Sequence, residues 1–155
     1  MRVRFNRTHN GRCGIYKKIV LAYDGSDSAK AALRHARDVA QSCGSKVYVV
    51  NAYPIIPKLE GYEWVQQAIA AGTARGQELV DEAAAELRKA GVEVSTEVLE
   101  GPPAQAIAKV AETRNADLIV MGNRGYNVFA EVFLGSVSLQ VLTHCKIPVL
   151  IVKTE

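Results

Sequence analysis

Apolar residues recur along this chain in two alternating rhythms. The runs within KKIVLAYD, KVYVVNAY, ADLIVMG and IPVLIVKT are short and nearly unbroken, and VEVSTEVLE adds a stretch with period-two alternation; all five read as strands. Between them the apolar positions fall at helical spacing. Asp27-Ser28 opens the first helix, Ala32, Leu33, Ala36, Val39, Ala40 and Cys43 form its stripe, and Gly44 stops it. The second spans about Gly61 to Ala90, with Leu79, Ala83, Leu87 and Ala90 on one side and Gly91 as its end. Gly72 and Gly76 weaken its middle, so a bend or a late start is expected there. Gly101-Pro102-Pro103 turns into a third helix carrying Ile107, Ala108, Val110 and Ala111, and Ser136 to His144 makes a short fourth.

Strand and helix alternating in this way predict an α/β fold, a five-stranded parallel doubly wound sheet with helices on both faces. The continuous apolar strands are those of a sheet covered on both sides. Such sheets bind ligands where neighbouring strand ends send their connections to opposite faces. Both common strand orders, 2-1-3-4-5 and 3-2-1-4-5, keep strand 1 at or beside that point. The second, adopted here, sets Asp24 at the end of strand 1 beside Gly122 at the end of strand 4.

The exit of strand 4 is the most distinctive segment. Gly122 and Gly125 are followed by Gly135-Ser136, in MGNRGYNVFAEVFLGSVS. Glycines permit close backbone approach to a ligand, and a helix start beginning at Ser136, read as its N-cap, adds amide donors and partial positive charge. Arg124 and Ser138 are further candidate donors. The plainer alternative is two turn glycines and a serine that caps its own helix. The spacing excludes a Walker A loop, since no G-x4-GK-[ST] occurs, and no G-x-G-x-x-G follows strand 1. Asp24, likewise, is either a ligand group or the acceptor of an Asx-turn before helix 1. Trp64 reads as a core- or lid-packing residue and His35 as a surface one.

Composition narrows the function classes. Of 155 residues 48% are hydrophobic and 23% charged, an ordinary globular balance for one domain. The net charge of +3 comes from Arg2, Arg4, Arg7 and Arg12, which precede Tyr16 in a stretch without acids; the rest is nearly neutral. Residues 1–14 are therefore expected to be a basic, disordered extension of a domain at 15–155, and no nucleic-acid partner is expected. Cys13, Cys43 and Cys145 are scattered, with no CxxC, as in a reducing compartment, and no metal site is expected. No apolar run reaches membrane-helix length and no signal-peptide core is visible, so a cytoplasmic protein with no membrane partner is expected.

On these residues the chain resembles the ATP-binding branch of the universal stress protein family. The likeness runs from Tyr16 onward, through YKKIVLAYDGSDSA and LGSVSLQVLTHCKIPVLIV. The family signature G-x2-G-x9-G-[S/T] is filled by Gly122, Gly125, Gly135 and Ser136. The resemblance implies an adenine nucleotide alpha hydrolase-like fold and an ATP-binding regulatory protein of the stress response. It places Ala22, Tyr23 and Asp24 beside the adenosine and the main chain of Ala52 against adenine. Met121 and Gly122 would lie near ribose and α-phosphate. Arg124, Gly125, Gly135, Ser136, Val137 and Ser138 would stand around the phosphates, which a Mg²⁺ ion bridges. Asn123 to Leu134 would form an adjustable flap.

Efficient catalysis is not expected, because no catalytic His or second carboxylate is set by motif. The alternatives are a slow ATP hydrolase or an adenylating enzyme on a related fold, the latter weakened because Asp24 stands where its pyrophosphate loop needs glycine. Strand 5, apolar from Ile147 to Val152, would be a bare sheet edge, so a homodimer through it is expected, as the resemblance also implies. Bulk at Gly122 or Gly135 is expected to abolish binding and leave the fold intact.

Overall fold

The computed structural model describes residues 14–55, 63–123 and 134–154. The elements run β1 (Lys18–Ala22), α1 (Asp27–Cys43), β2 (Lys46–Tyr53), α2 (Glu63–Lys89), β3 (Glu93–Glu100), α3 (Pro103–Thr113), β4 (Leu118–Gly122), α4 (Ser136–His144) and β5 (Val149–Val152). All strand pairs are parallel and the order is β3-β2-β1-β4-β5, as expected. The basic segment before Gly14 lies outside the described residues.

Strand parity divides the molecule into two cores. Successive side chains point to opposite faces, so Ile19, Leu21 and Tyr23 of the β1 run join Val47, Val49, Leu118 and Val120 beneath α1 and α2. Val20, Tyr48, Val50, Ile119 and Met121 face the other way, under α3 and α4. The three inner strands are thus apolar at nearly every position because both faces are covered. The two outer strands are only half-covered: β3 has no buried residue, and β5 buries Val152 alone.

Capping sets where α1 begins and ends. The Ser26 hydroxyl accepts the Ala29 amide at 3.2 Å, and Gly44 closes the helix in the left-handed region at φ 69°. In α2 the two glycines do not interrupt the helix. The helix is unbroken over 27 residues, and its glycines serve packing instead. A Cβ on Gly72 would meet the Tyr53 ring at 3.0 Å, and one on Gly76 would come within 2.7 Å of Val98 Cγ1. Their helix-propensity cost of about 1 kcal/mol each is offset by closer approach to the sheet. Trp64 does not join the core: it is half exposed.

Candidate functional site

An open cleft lies at the carboxyl ends of β1, β2 and β4. Its floor is made by the strand exits Ala22, Tyr23 and Asp24, then Val50, Asn51 and Ala52, then Met121 and Gly122. Its sides are the first turns of three helices: Ala29 of α1, Pro103 and Ile107 of α3, and Val137 of α4. With its mouth included, the space is about 510 Å³. The lining is mostly aliphatic, with Asp24 and Asn51 as polar exceptions, which suits a ligand with a flat apolar part and few directed polar groups.

Hydrogen bonds across the floor hold the strand exits in place. The Tyr23 amide donates to the Val50 carbonyl at 2.9 Å, and the buried Asn51 Nδ2 donates to the Tyr23 carbonyl at 2.8 Å. Both main-chain groups of Tyr23 are therefore engaged. Its side chain follows strand parity into the α1–α2 core, where the hydroxyl donates to Glu82 Oε1 at 3.0 Å. Burial, then the hydrogen bond and the negative charges of Glu82, Glu86 and Asp24, raise its pKa above the ordinary tyrosine value. Tyr23 thus shapes the cleft without presenting its phenol to it.

Asp24 makes the Asx-turn, its Oδ1 accepting the Ser26 amide at 3.0 Å, while Gly25 at φ 78° carries the chain around. This turn occupies one carboxylate oxygen. Asp24 also lines the cleft, so the turn and ligand roles are compatible.

Gly122 carries a second surprise. A Cβ there would stand on Ser28, 2.7 Å from its main-chain carbonyl carbon and 2.8 Å from its Cβ. The absent side chain lets the end of β4 lie against the first turn of α1. The expectation that bulk at Gly122 spares the fold is therefore corrected. The Gly122 carbonyl accepts the Ser138 hydroxyl at 3.0 Å, and Ser138 is only 2% exposed. Ser138 is thus a buried tie between α4 and β4, with its donor already used.

The start of α4 also differs from expectation. Its N-cap is Gly135, with no side-chain cap, and Ser136 is the first helical residue, with an exposed side chain. A helix start leaves its first amides without intrahelical acceptors, so the N–H groups of Ser136, Val137 and Ser138 are available. The Gly135 amide itself donates to the Asn123 carbonyl at 2.7 Å, and the Asn123 amide to Val152 at 2.9 Å. The two described ends of the glycine segment therefore meet. Arg124, Gly125 and the interior of the expected flap lie outside the described residues.

The helix starts are chemically unequal. That of α1 is capped by Ser26 and carries Asp27, with Asp24 close by in sequence. That of α3 has Pro103, which lacks an amide hydrogen, in its first turn. Both α3 and α4 begin with neither a side-chain cap nor an acid, but Pro103 removes an amide donor from the start of α3, so α4 offers an anion the fuller set of amides. Ala29, Val50, Asn51, Pro103 and Ile107 line the cleft and were missed in the sequence. The i, i+4 spacing of Pro103 and Ile107 behind a strand exit was the available signal. Among the described residues no three His, Cys, Asp or Glu side chains gather as metal ligands.

A parallel 3-2-1-4-5 sheet with a cleft at the carboxyl ends of β1 and β4 is a doubly wound α/β fold, in which the crossing of connections is the usual place for a ligand. The profile of the Universal stress protein family matches residues 15–153, and the chain belongs to that family. A universal stress protein of Thermus aquaticus is 39% identical over 140 residues, covering 90% of this chain and 100% of the relative. Two solved structures share the fold and carry adenine nucleotides. The universal stress protein from Archaeoglobus fulgidus in complex with dAMP has a TM-score of 0.67 and 30% identity, covering 90% of this chain and 99% of its own. A universal stress protein in complex with cAMP has a TM-score of 0.69 and 29% identity, covering 91% and 99%.

Proposed function

We propose that this protein binds ATP with Mg²⁺ in the cleft and acts in the cytoplasm as a dimeric, nucleotide-dependent regulator. The observation that carries the proposal is the asymmetry of the cleft. Aliphatic walls from Val50, Ala52, Pro103 and Ile107 occupy one side, and the uncapped start of α4 the other. Adenine would lie against the first, with the Asp24 carboxylate nearby. The phosphates would take the amides of Ser136 and Val137, joined by Gly125 and Arg124 of the signature. Mg²⁺ would bridge phosphate oxygens, since the described residues supply no carboxylate cage. The relatives holding dAMP and cAMP support an adenine nucleotide; the glycine signature supports the triphosphate.

Binding in preference to turnover is supported by the lining. Asp24 is the one carboxylate among the described lining residues, and an amide holds one of its oxygens. Efficient hydrolysis needs a group that orients water and one that stabilises the transferred phosphoryl. The dimer is supported by β5, an apolar outer strand whose Val149, Leu150 and Ile151 are only partly buried and which pairs with β4 alone among the described residues. Among the described residues no helix is long and apolar enough to cross a membrane.

Denaturing the purified protein and identifying released nucleotide by chromatography and mass spectrometry tests the ligand. Finding none, together with no saturable binding of ATP with Mg²⁺, overturns the proposal. Sedimentation at micromolar concentration tests the dimer.

A further inference from the structure

The ladder between β1 and β2 stops one bond early, and a side chain stops it. The register of the two strands ends at the pair Ala22–Val50, and the last main-chain bond runs from the Tyr23 amide to the Val50 carbonyl at 2.9 Å. Main-chain groups along an inner strand point alternately to its two neighbours. Val50 thus bonds toward β1, while Tyr53 bonds toward the β3 side, its carbonyl accepting the Gly101 amide at 2.9 Å. Ala52 faces β1 like Val50, and the next bond of the ladder would run from its amide to the Tyr23 carbonyl. That carbonyl accepts Asn51 Nδ2 instead, at 2.8 Å. Among the described residues Ala52 makes no main-chain bond on that side, and it lines the cleft.

We propose that Asn51 is a positioning residue for the base. Its side chain takes the Tyr23 carbonyl in place of the Ala52 amide, and so keeps the Ala52 N–H and C=O open to the cleft. The inference rests on the nucleotide function proposed above and deepens it. A buried carbonyl needs a donor, and Asn51 supplies one without using the main chain of Ala52. The side chain is built into place. Asn51 is only 8% exposed, and a Cβ on Gly76 of α2 would come within 2.9 Å of its Oδ1. Glycine at that position leaves the room the amide occupies. An N–H and a C=O side by side on one residue match the N1 acceptor and the amino donor of adenine. They oppose the N1–H and O6 of hypoxanthine. A site that hydrogen-bonds one such pattern rejects the reverse, because its own groups are then left unpaired.

Amide exchange and nucleotide selectivity test this role. In the nucleotide-free wild type the Ala52 amide should exchange about tenfold faster than that of Val50, and ATP should slow it. Asn51→Ala leaves the Tyr23 carbonyl to the Ala52 amide, which should become protected without nucleotide. Affinity for ATP and for adenosine should both fall about tenfold, since the loss lies at the base, and the preference for ATP over ITP should shrink. A residue that only stabilised the fold would leave that preference and the exchange pattern unchanged. Asn51→Leu keeps the volume and removes the donor, and gives the same test if the alanine variant fails to fold; the wild-type exchange needs no variant. An Ala52 amide as protected as Val50 in the nucleotide-free wild type overturns the inference. So does an Asn51→Ala protein that binds ATP like the wild type, or that loses affinity for ATP and not for adenosine. A wild type that binds no nucleotide overturns the function proposed above together with this role.

Discussion

Gly122→Ala should destabilise the protein even when no nucleotide is present. The added methyl would lie 2.7 Å from the carbonyl carbon and 2.8 Å from the Cβ of Ser28. Real side chains do not approach main chain so closely, so either β4 or α1 must move. Movement of α1 is resisted at its first turn, where the Ser26 hydroxyl holds the Ala29 amide and the Ser26 carbonyl holds the Lys30 amide at 2.9 Å. Movement of β4 is resisted by its ladders to β1 and β5. Overpacking of this kind costs about 1–3 kcal/mol. Two gains oppose it: about 0.8 kcal/mol for a buried methyl group and about 0.4–1 kcal/mol from a less flexible unfolded chain. Because the obstacle is main chain that cannot rotate away, the upper half of the cost applies, and after these gains the net loss is about 1 kcal/mol.

For a domain of this size that is a fall in Tm of roughly 2–4 °C. The measurement requires protein stripped of nucleotide by unfolding and refolding, because a bound ligand adds its own stabilisation to the wild type. Gly122 is not among the positive-φ glycines, so no backbone strain confuses the result. A nucleotide-free Gly122→Ala protein that melts with the wild type, yet has lost ATP binding, would refute the packing role. It would make Gly122 a residue kept open for the ligand alone.

The other expectations divide structural from ligand roles. Asp24→Asn keeps an acceptor for the Ser26 amide, so urea stability should hold within about 0.5 kcal/mol while ATP affinity falls about tenfold; unchanged affinity by calorimetry would leave Asp24 a turn residue only. Ser138→Ala removes the bond to the Gly122 carbonyl and should cost about 1 kcal/mol in urea titration with little change in ATP affinity; the reverse pattern would restore Ser138 to the phosphates. Tyr23 has a folded-state pKa raised by burial and by Glu82, so the folded chain holds that proton more tightly than the unfolded one. Its contribution is complete below the unfolded value of about 10 and is lost as pH rises beyond it, so the urea midpoint should drop above about pH 10. Tyr23→Phe should flatten that drop; an unaltered alkaline slope would mean another group causes it.

Much of the fold was legible because burial on both faces leaves a continuous apolar run, and all five runs became strands in the expected order. The cleft was legible for a related reason: strand exits at a crossing of connections can be found from order alone. What escaped was contact between segments distant in sequence. Nothing in ADLIVMG announces that Gly122 will rest on Ser28, and nothing in α2 announces that Gly72 and Gly76 face Tyr53 and Val98. For Tyr23 the direction of the ring was legible, because parity with Ile19 and Leu21 points it into the α1–α2 core while its main chain lines the cleft. Ser136 was misplaced by one residue at a boundary, enough to change a capping hydroxyl into an exposed one.

These differences redistribute the meaning of the glycine signature. Gly122 is demanded by the packing of β4 on α1 whether or not a nucleotide binds. Its presence therefore reports on the fold as much as on the ligand. Gly135 is different: as an N-cap without a side chain it leaves the α4 amides to be satisfied from outside the helix, a state that costs stability unless something fills it. A serine or aspartate at that position would cap the helix internally and compete with a phosphate. If the cleft binds a nucleotide as proposed, the ligand information in the signature is concentrated at its carboxyl end, where the helix start has no side-chain cap. The amino end builds the floor on which that opening stands.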